Sequence, residues 1–275
     1  MGIGKRAVLM LLSLVLAAQL YALWKKAAMD RRGEKEYQQV RGEALGTHER
    51  ADGEEDGPFR PDTEKLRELN EEYGAWLWIP GTSVDYPVTR PADNRRYLSK
   101  TFLGEENACG CLFFEASCIP GRSMNTVIHG HNMRSGAMFG TLKRYLDQEY
   151  AGSRGRICLY IGEGWREYEI FSVYLTGETD IQPFQSQFAS KEAYREYMDS
   201  RKARSLYEWE GVQPFSGKQP MVTLSTCHGR GRKLIIHALE RGDDEKGAGE
   251  GIGCRKGQSV LGSAPSRRIS IGSPA

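Results

Sequence analysis

The sequence predicts a mainly β fold with inserted helices, closed or nearly closed into a barrel and preceded by an N-terminal transmembrane helix. Three observations carry this expectation: an 18-residue apolar run at 7–24, a middle region of short apolar runs between Gly, Pro and Asn, and two helical stretches interrupting those runs. With 275 residues, 39% of them hydrophobic, the chain suits one ordinary globular domain plus appendages and excludes a disulfide-stapled miniprotein or a collagen-like chain.

The apolar run from Ala7 to Trp24 has only Ser13 and Gln19 as clearly polar members. As a helix it spans about 27 Å, close to the ~30 Å hydrocarbon core of a bilayer. It exceeds the usual apolar stretch of a signal peptide and ends in bulky Leu23 and Trp24, so residues 1–26 read as an uncleaved anchor rather than a processed leader. Lys5 and Arg6 precede it and Lys25, Lys26, Arg31 and Arg32 follow, so the flanking charge does not fix its orientation. Residues 27–60 are polar and charged with little apolar periodicity, the pattern of a stalk. Residues 242–275, rich in Gly, Ser and charge, read as a disordered tail. The folded domain is therefore expected over 61–241.

Within it, Pro61-Asp62-Thr63 opens a short helix reaching about Glu72, with Leu66 and Leu69 on one face. Strands are expected at 75–79, 85–88, 110–114, 125–129, 156–161, 167–176, 221–226 and 234–239. Helices are expected over 138–146 and over 191–206, where Tyr194, Tyr197, Met198 and Arg201 recur at helical spacing.

Charge is spread evenly. Ten basic residues face nine acidic ones in 1–60, 22 face 23 in 61–240, and six face four in 241–275. A folded part without basic excess argues against nucleic acid as a partner. The six cysteines, at 109, 111, 118, 158, 227 and 254, contain no CxxC pair and no regular disulfide spacing. Cys109 and Cys111, one Gly apart, fit the lining of a strand better than a metal site.

Chemistry concentrates in three stretches. In Met221-Val222-Thr223-Leu224-Ser225-Thr226-Cys227, alternation places Thr223, Ser225 and Cys227 on one strand face, with Cys227 where the strand gives way to a Gly-rich, basic loop. A thiol there is a candidate nucleophile, though a buried inert cysteine fits the same pattern. Asn125 to Met133 place His129 and His131 at the end of a second apolar strand, and imidazole is the side chain that moves protons near neutrality. His-Gly-His lacks the further neighbours that would complete a metal set. Arg230-Gly231-Arg232-Lys233 then leads into the last apolar run; a cation at that strand start either meets a developing oxyanion or sits in a solvated turn.

Taken together, these stretches resemble the sortases, particularly class B. The resemblance covers most of the folded part. It includes Trp78 to Val88, Asp93-Asn94 with Tyr97-Leu98, Asn125 to Met133, the helix-bearing insertion at 191–206 and the Cys227 strand, and the N-terminal anchor fits it as well. It implies a sortase-like closed β-barrel and a cysteine transpeptidase. In that reading Cys227 is the nucleophile, His131 the proton donor and acceptor, and a basic residue after the cysteine the transition-state stabiliser. Asn94, Leu98 and Ser225 take the family's substrate-groove positions, and His129 stands where the family has an aromatic residue. The family's Arg directly precedes the last apolar strand; here Lys233 holds that place and Arg232 comes one earlier. Because Lys lacks the planar guanidinium fork, Arg232 is the expected stabiliser, re-aimed by a one-residue bulge.

The implied partners are exported proteins carrying a C-terminal sorting signal and an amine acceptor from peptidoglycan or a pilin Lys, with the membrane held by the N-terminal helix and the catalytic domain extracellular. No cofactor and no metal are implied. A Cys-His hydrolase that releases the acyl group to water, and a non-catalytic membrane-tethered scaffold, are the alternatives.

Overall fold

The computed structural model describes residues 3–45, 59–152, 154–162, 164–209 and 217–241. Eight strands form a closed barrel: β1 Tyr73–Trp78, β2 Asp85–Thr89, β3 Leu112–Phe114, β4 Asn125–His129, β5 Arg156–Ile161, β6 Gly164–Gly177, β7 Met221–Cys227 and β8 Arg232–Glu240. Their order around the barrel is β1-β2-β3-β4-β7-β8-β6-β5. Pairing is parallel between β2 and β3 and between β4 and β7, and antiparallel elsewhere. The expected strands are all present; β4 and β5 keep their expected bounds, β6 and β8 pair past the apolar stretches that mark them, and β3 begins two residues later than expected, at Leu112, because Gly110 turns at φ 57°.

Alternation along β7 sorts the two faces. Val222 and Leu224 point into the barrel with Ile128, Leu234, Ile236 and Ala238. Met221 faces outward and packs with Phe171, Tyr194, Tyr197 and Met198. The last three belong to α4, Lys191–Ala203, which Ser190 caps by accepting from the Ala193 amide at 3.1 Å. The face shared by Thr223, Ser225 and Cys227 is therefore the outer one, covered by α4 at one end and open at the Cys227 end.

Beneath α4 lies a buried polar chain whose proton order is fixed by its last acceptors. Asn125 Nδ2 donates to the carbonyls of Pro183 and Gln185, at 3.1 and 2.9 Å. Its Oδ1 therefore accepts from the Thr223 hydroxyl at 2.6 Å, Thr223 Oγ1 accepts from His237 Nδ1 at 2.8 Å, and His237 Nε2 accepts from the Tyr174 hydroxyl at 3.0 Å. Four strands are thus tied to the 182–185 turn, which carries Phe184. His237 is fully buried, and desolvation, with Arg201 and Arg204 adding to it, pushes its pKa well below 6.5.

The structure departs from the sequence reading in two places. Over the expected helix at 138–146, Met138 takes φ 52° and bridges back to Asn132, so only Leu142–Leu146 winds, as a 3-10 turn, before the short α3 Gln148–Gly152. The expected polar stalk is, up to Leu45, part of a single helix α1, Ile3–Leu45. Its apolar stretch from Met10 to Trp24 is exposed, a candidate membrane span. In its C-terminal half Gly33, Tyr37, Val40 and Ala44 are buried against the barrel. Their spacing of four, three and four residues is a helical stripe of mostly small side chains, too weakly apolar to stand out among the charges around it. Arg41 pairs with Asp85 at 2.5 Å, and the Ala44 carbonyl accepts from the Asp62 amide at 2.8 Å. α2, Thr63–Leu69, starts at Asp62 as expected, and Asn70 turns the chain out of it. Residues 46–58 of the expected stalk and the expected tail at 242–275 lie outside the described residues.

Two outcomes test this packing. Val40→Ala lowers the unfolding free energy by about 2 kcal/mol in a denaturant titration of the detergent-solubilised chain, whereas Gln39→Ala on the exposed face leaves it unchanged; equal values would mean that the helix is not docked. For His237 the unfolded chain binds a proton near pH 6.5 that the folded chain refuses. Stability is then complete above that pH and falls as the pH drops below it toward the folded value, by at most about 1.4 kcal/mol per pH unit. His237→Gln should flatten this slope in pH-dependent melts, and an unaltered slope would rule out the buried imidazole as its source.

Candidate active site

The site lies at the open end of the parallel β4–β7 pair. Registry runs from Asn125 opposite Met221 to His129 opposite Ser225, and the chain beyond β4 continues beside β7. The Gly130 amide donates to the Ser225 carbonyl at 3.2 Å, and Asn132 Nδ2 donates to the Cys227 carbonyl at 2.9 Å. His131, between those two residues, is thereby fixed alongside Cys227. Gly130 is required at this point because a Cβ would lie 2.4 Å from Leu112 Cδ2 and 2.8 Å from Phe139 Cδ2.

Cys227 is exposed at the strand end, whereas Cys109, Cys111, Cys118 and Cys158 are buried. Burial pushes the thiols of Cys109 and Cys111 up to about 12 and raises that of Cys118 as well, so they stay protonated and inert near neutral pH. His131 is held through its other side: Nε2 lies 2.7 Å from the Leu98 carbonyl. A carbonyl only accepts, so Nε2 is the donor and carries the proton of the neutral ring, which leaves Nδ1 as its acceptor nitrogen.

Of the other expected residues, Ser225 and Leu98 adjoin this pair, and Asn94 is linked to it through Glu115 and His129. Ser225 lies on the outer face two residues before Cys227, buried, with Ile235 opposite it on β8. Leu98 keeps its side chain 45% exposed while its carbonyl orients His131. Asn94 is bonded on both sides: its Nδ2 donates to Glu115, and its Oδ1 accepts from the Ala116 amide at 2.8 Å. Glu115 in turn meets His129 Nε2 at 3.0 Å, and that hydrogen bond, foremost, holds its carboxyl below the usual range. The His129 ring lies between Phe113, at a centroid distance of 5.3 Å, and Phe184, at 5.0 Å. An imidazole thus fills the aromatic position with a carboxylate attached to it.

The basic residues separate. Lys233 is paired directly with Cys227 across the antiparallel β7–β8 ladder, which puts the two side chains on the same face. Its Nζ lies 4.9 Å from the Phe184 ring centroid. Arg232 pairs with Gly177 on β6 and is exposed, one residue out of phase with the Cys227 face. No bulge is present in the β7–β8 ladder to bring it round.

Glu115, Phe184 and the Leu98 carbonyl were not singled out from the sequence. Phe184 ends a single 3-10 turn, Gln182–Phe184, too short for a period to reveal it, and a backbone acceptor leaves no side-chain signature. Among the described residues no group of three or more His, Cys, Asp and Glu is arranged to hold a metal ion. Exposure alone predicts that iodoacetamide alkylates Cys227 before the buried thiols, as peptide mapping after brief labelling would show; first modification at Cys109, Cys111, Cys118 or Cys158 would contradict the site.

Known proteins share this architecture. The family model described as the sortase domain matches residues 77–240. The sortase B of Listeria monocytogenes is 31% identical over 229 residues, covering 80% of this chain and 92% of that protein. Among solved structures, sortase B of Bacillus anthracis superposes with a TM-score of 0.68 at 25% identity, covering 78% of this chain and 98% of the other. Sortase B of Clostridium perfringens gives 0.63 at 27% identity, covering 66% and 100%. The barrel carries an exposed thiol at the end of the strand that the His131 segment runs beside, and by matched domain and relatives the chain belongs to the sortase family of cysteine transpeptidases, in its class B.

Proposed function

We propose that this enzyme is a single-pass membrane protein with its barrel outside the cell, and that it transfers exported proteins bearing a Thr-containing sorting signal onto an amine of the cell wall or of a pilin. The observation that carries the reading is the placement of His131 between two residues hydrogen bonded to the Cys227 strand.

The steps follow from the groups present. The Cys227 thiolate attacks the carbonyl carbon of the signal's Thr, forming a C–S bond and a tetrahedral oxyanion. As the oxyanion collapses the C–N bond breaks, and His131, protonated at Nδ1, gives that proton to the departing amine. The thioester then meets an incoming amine, which loses a proton to the now neutral imidazole as its nitrogen bonds to carbon and the thiolate leaves. Lys233, on the Cys227 face, is better placed to meet the oxyanion than Arg232, one residue out of phase with that face. Asn94, Leu98 and Ser225 lie beside this track and form its groove in the proposal.

The apolar run of α1 ends at Trp24, and the helix is already hydrogen bonded to the loop before β3 at the Met29 carbonyl. Five residues of helix are about 7.5 Å. In the anchored state the barrel therefore sits close to the bilayer surface, where a membrane-borne substrate emerges.

Cys227→Ala should abolish the thioester detected by mass spectrometry with Thr-containing sorting peptides; a thioester formed by that variant would refute the assignment. Wild-type product joined to an added amine supports transfer, and release to water alone would make the protein a hydrolase. Lys233→Ala should slow acylation by about a hundredfold and Arg232→Ala by less than about threefold, a ranking that steady-state rates with one peptide decide; the reverse order returns the role to Arg232.

A further inference from the structure

We propose that Tyr37, on the α1 helix, is a positioning residue for His131, acting through Gly110 and the Leu98 carbonyl. The inference rests on His131 being the proton carrier.

The Tyr37 hydroxyl is buried 73 positions away in sequence from the group it binds: it donates to the Gly110 carbonyl at 2.7 Å. The same oxygen accepts from the Phe102 amide at 3.2 Å, so one phenol ties together both ends of the 102–110 loop. Gly110, at φ 57°, is packed without room for a side chain. A Cβ there would lie 2.3 Å from the Tyr97 carbonyl oxygen, 3.2 Å from the Leu98 carbonyl oxygen and 3.1 Å from His131 Cδ2. The next residue continues the contact, the Cys111 amide donating to the Tyr97 carbonyl at 3.0 Å. Gly110 thus has the phenol on one side and, on the other, both the imidazole and the carbonyl that accepts from it. A shift at Gly110 moves the Leu98 carbonyl, and with it the direction in which His131 Nδ1 points.

The rest of the loop is fastened to the same helix. Glu36 accepts from the Leu103 amide at 3.1 Å, and Asn107 Nδ2 donates to the Met29 carbonyl at 2.9 Å. The Arg32–Glu105 pair at 2.8 Å is exposed on both sides and adds little. The helix that leaves the apolar run therefore forms the back of the active site, with the loop at 98–110 held between it and the histidine. Displacing a proton carrier by a fraction of an ångström is enough to cost rate without altering substrate affinity.

The test uses the full chain in detergent micelles. Tyr37→Phe keeps the ring, which packs edge-on against Tyr86 at a centroid distance of 5.3 Å, and removes only the hydroxyl. It should lower kcat for peptide cleavage roughly tenfold at constant KM. In ¹⁵N-histidine spectra, neutral His131 in the wild type should be the single Nε2–H tautomer, and in the variant a mixture of both. Val40→Ala weakens packing on the same helix face but lies outside this chain of contacts, so it should keep kcat and the single tautomer at a temperature where it is folded. A Tyr37→Phe protein with wild-type kcat and one tautomer would overturn the proposal. So would a Val40→Ala protein that reproduces the Tyr37→Phe changes, or an Nδ1–H tautomer in the wild type, a result that needs no variant to fold. The tautomer is read without turnover, so a chain lacking transpeptidation altogether would refute the proposed function while leaving this inference to be judged separately.

Discussion

Parallel pairing of β4 with β7 is the constraint on which the site depends. Parallel neighbours point their strand ends the same way, so two segments about a hundred residues apart finish side by side, and whatever follows each strand is delivered to one place. Here one strand ends in an exposed thiol and the other runs on into an imidazole, with main-chain and Asn132 hydrogen bonds holding the second chain along the first. The outer face of β7 then supplies the floor, α4 covers its far end, and the buried Asn125–Thr223–His237–Tyr174 chain keeps the 182–185 turn, and hence Phe184, in position.

The groups near the thiol are organised by orientation as much as by charge. His131 is directed by a backbone acceptor, His129 by Glu115 and two aromatic rings, and Lys233 by its place opposite Cys227 and by Phe184. Apart from Phe113 on β3 and the β7–β8 ladder itself, these supports come from segments between strands, at 98–111, 115 and 182–185. A barrel of paired strands supplies rigidity, and its loops supply direction.

That division explains what was readable in advance. Strand positions were legible because short apolar runs between Gly, Pro and Asn leave a period-two trace, and α4 because Tyr194, Tyr197 and Met198 recur on one face. Cys227 and His131 stood out as candidates because both lie at strand ends in motifs that resemble a known family, and the structure puts those two strand ends side by side. That Lys233 rather than Arg232 lies opposite Cys227 was not legible, since cross-strand registry is something a single chain of letters does not record. The docking of α1 escaped because its buried stripe of Gly33, Tyr37, Val40 and Ala44 carries one large side chain among many charges. Met138 defeated the helix expected around it through a backbone angle that its residue type does not announce.

The account stands on one pairing, the thiol of Cys227 with the imidazole of His131. Rapid-quench measurement of thioester formation by His131→Ala tests it most directly, with alkylation of Cys227 by a small reagent as a check that the thiol is still presented. The account predicts acylation slower by about 10² to 10⁴ while the thiol remains accessible. A thioester formed at the wild-type rate would contradict it.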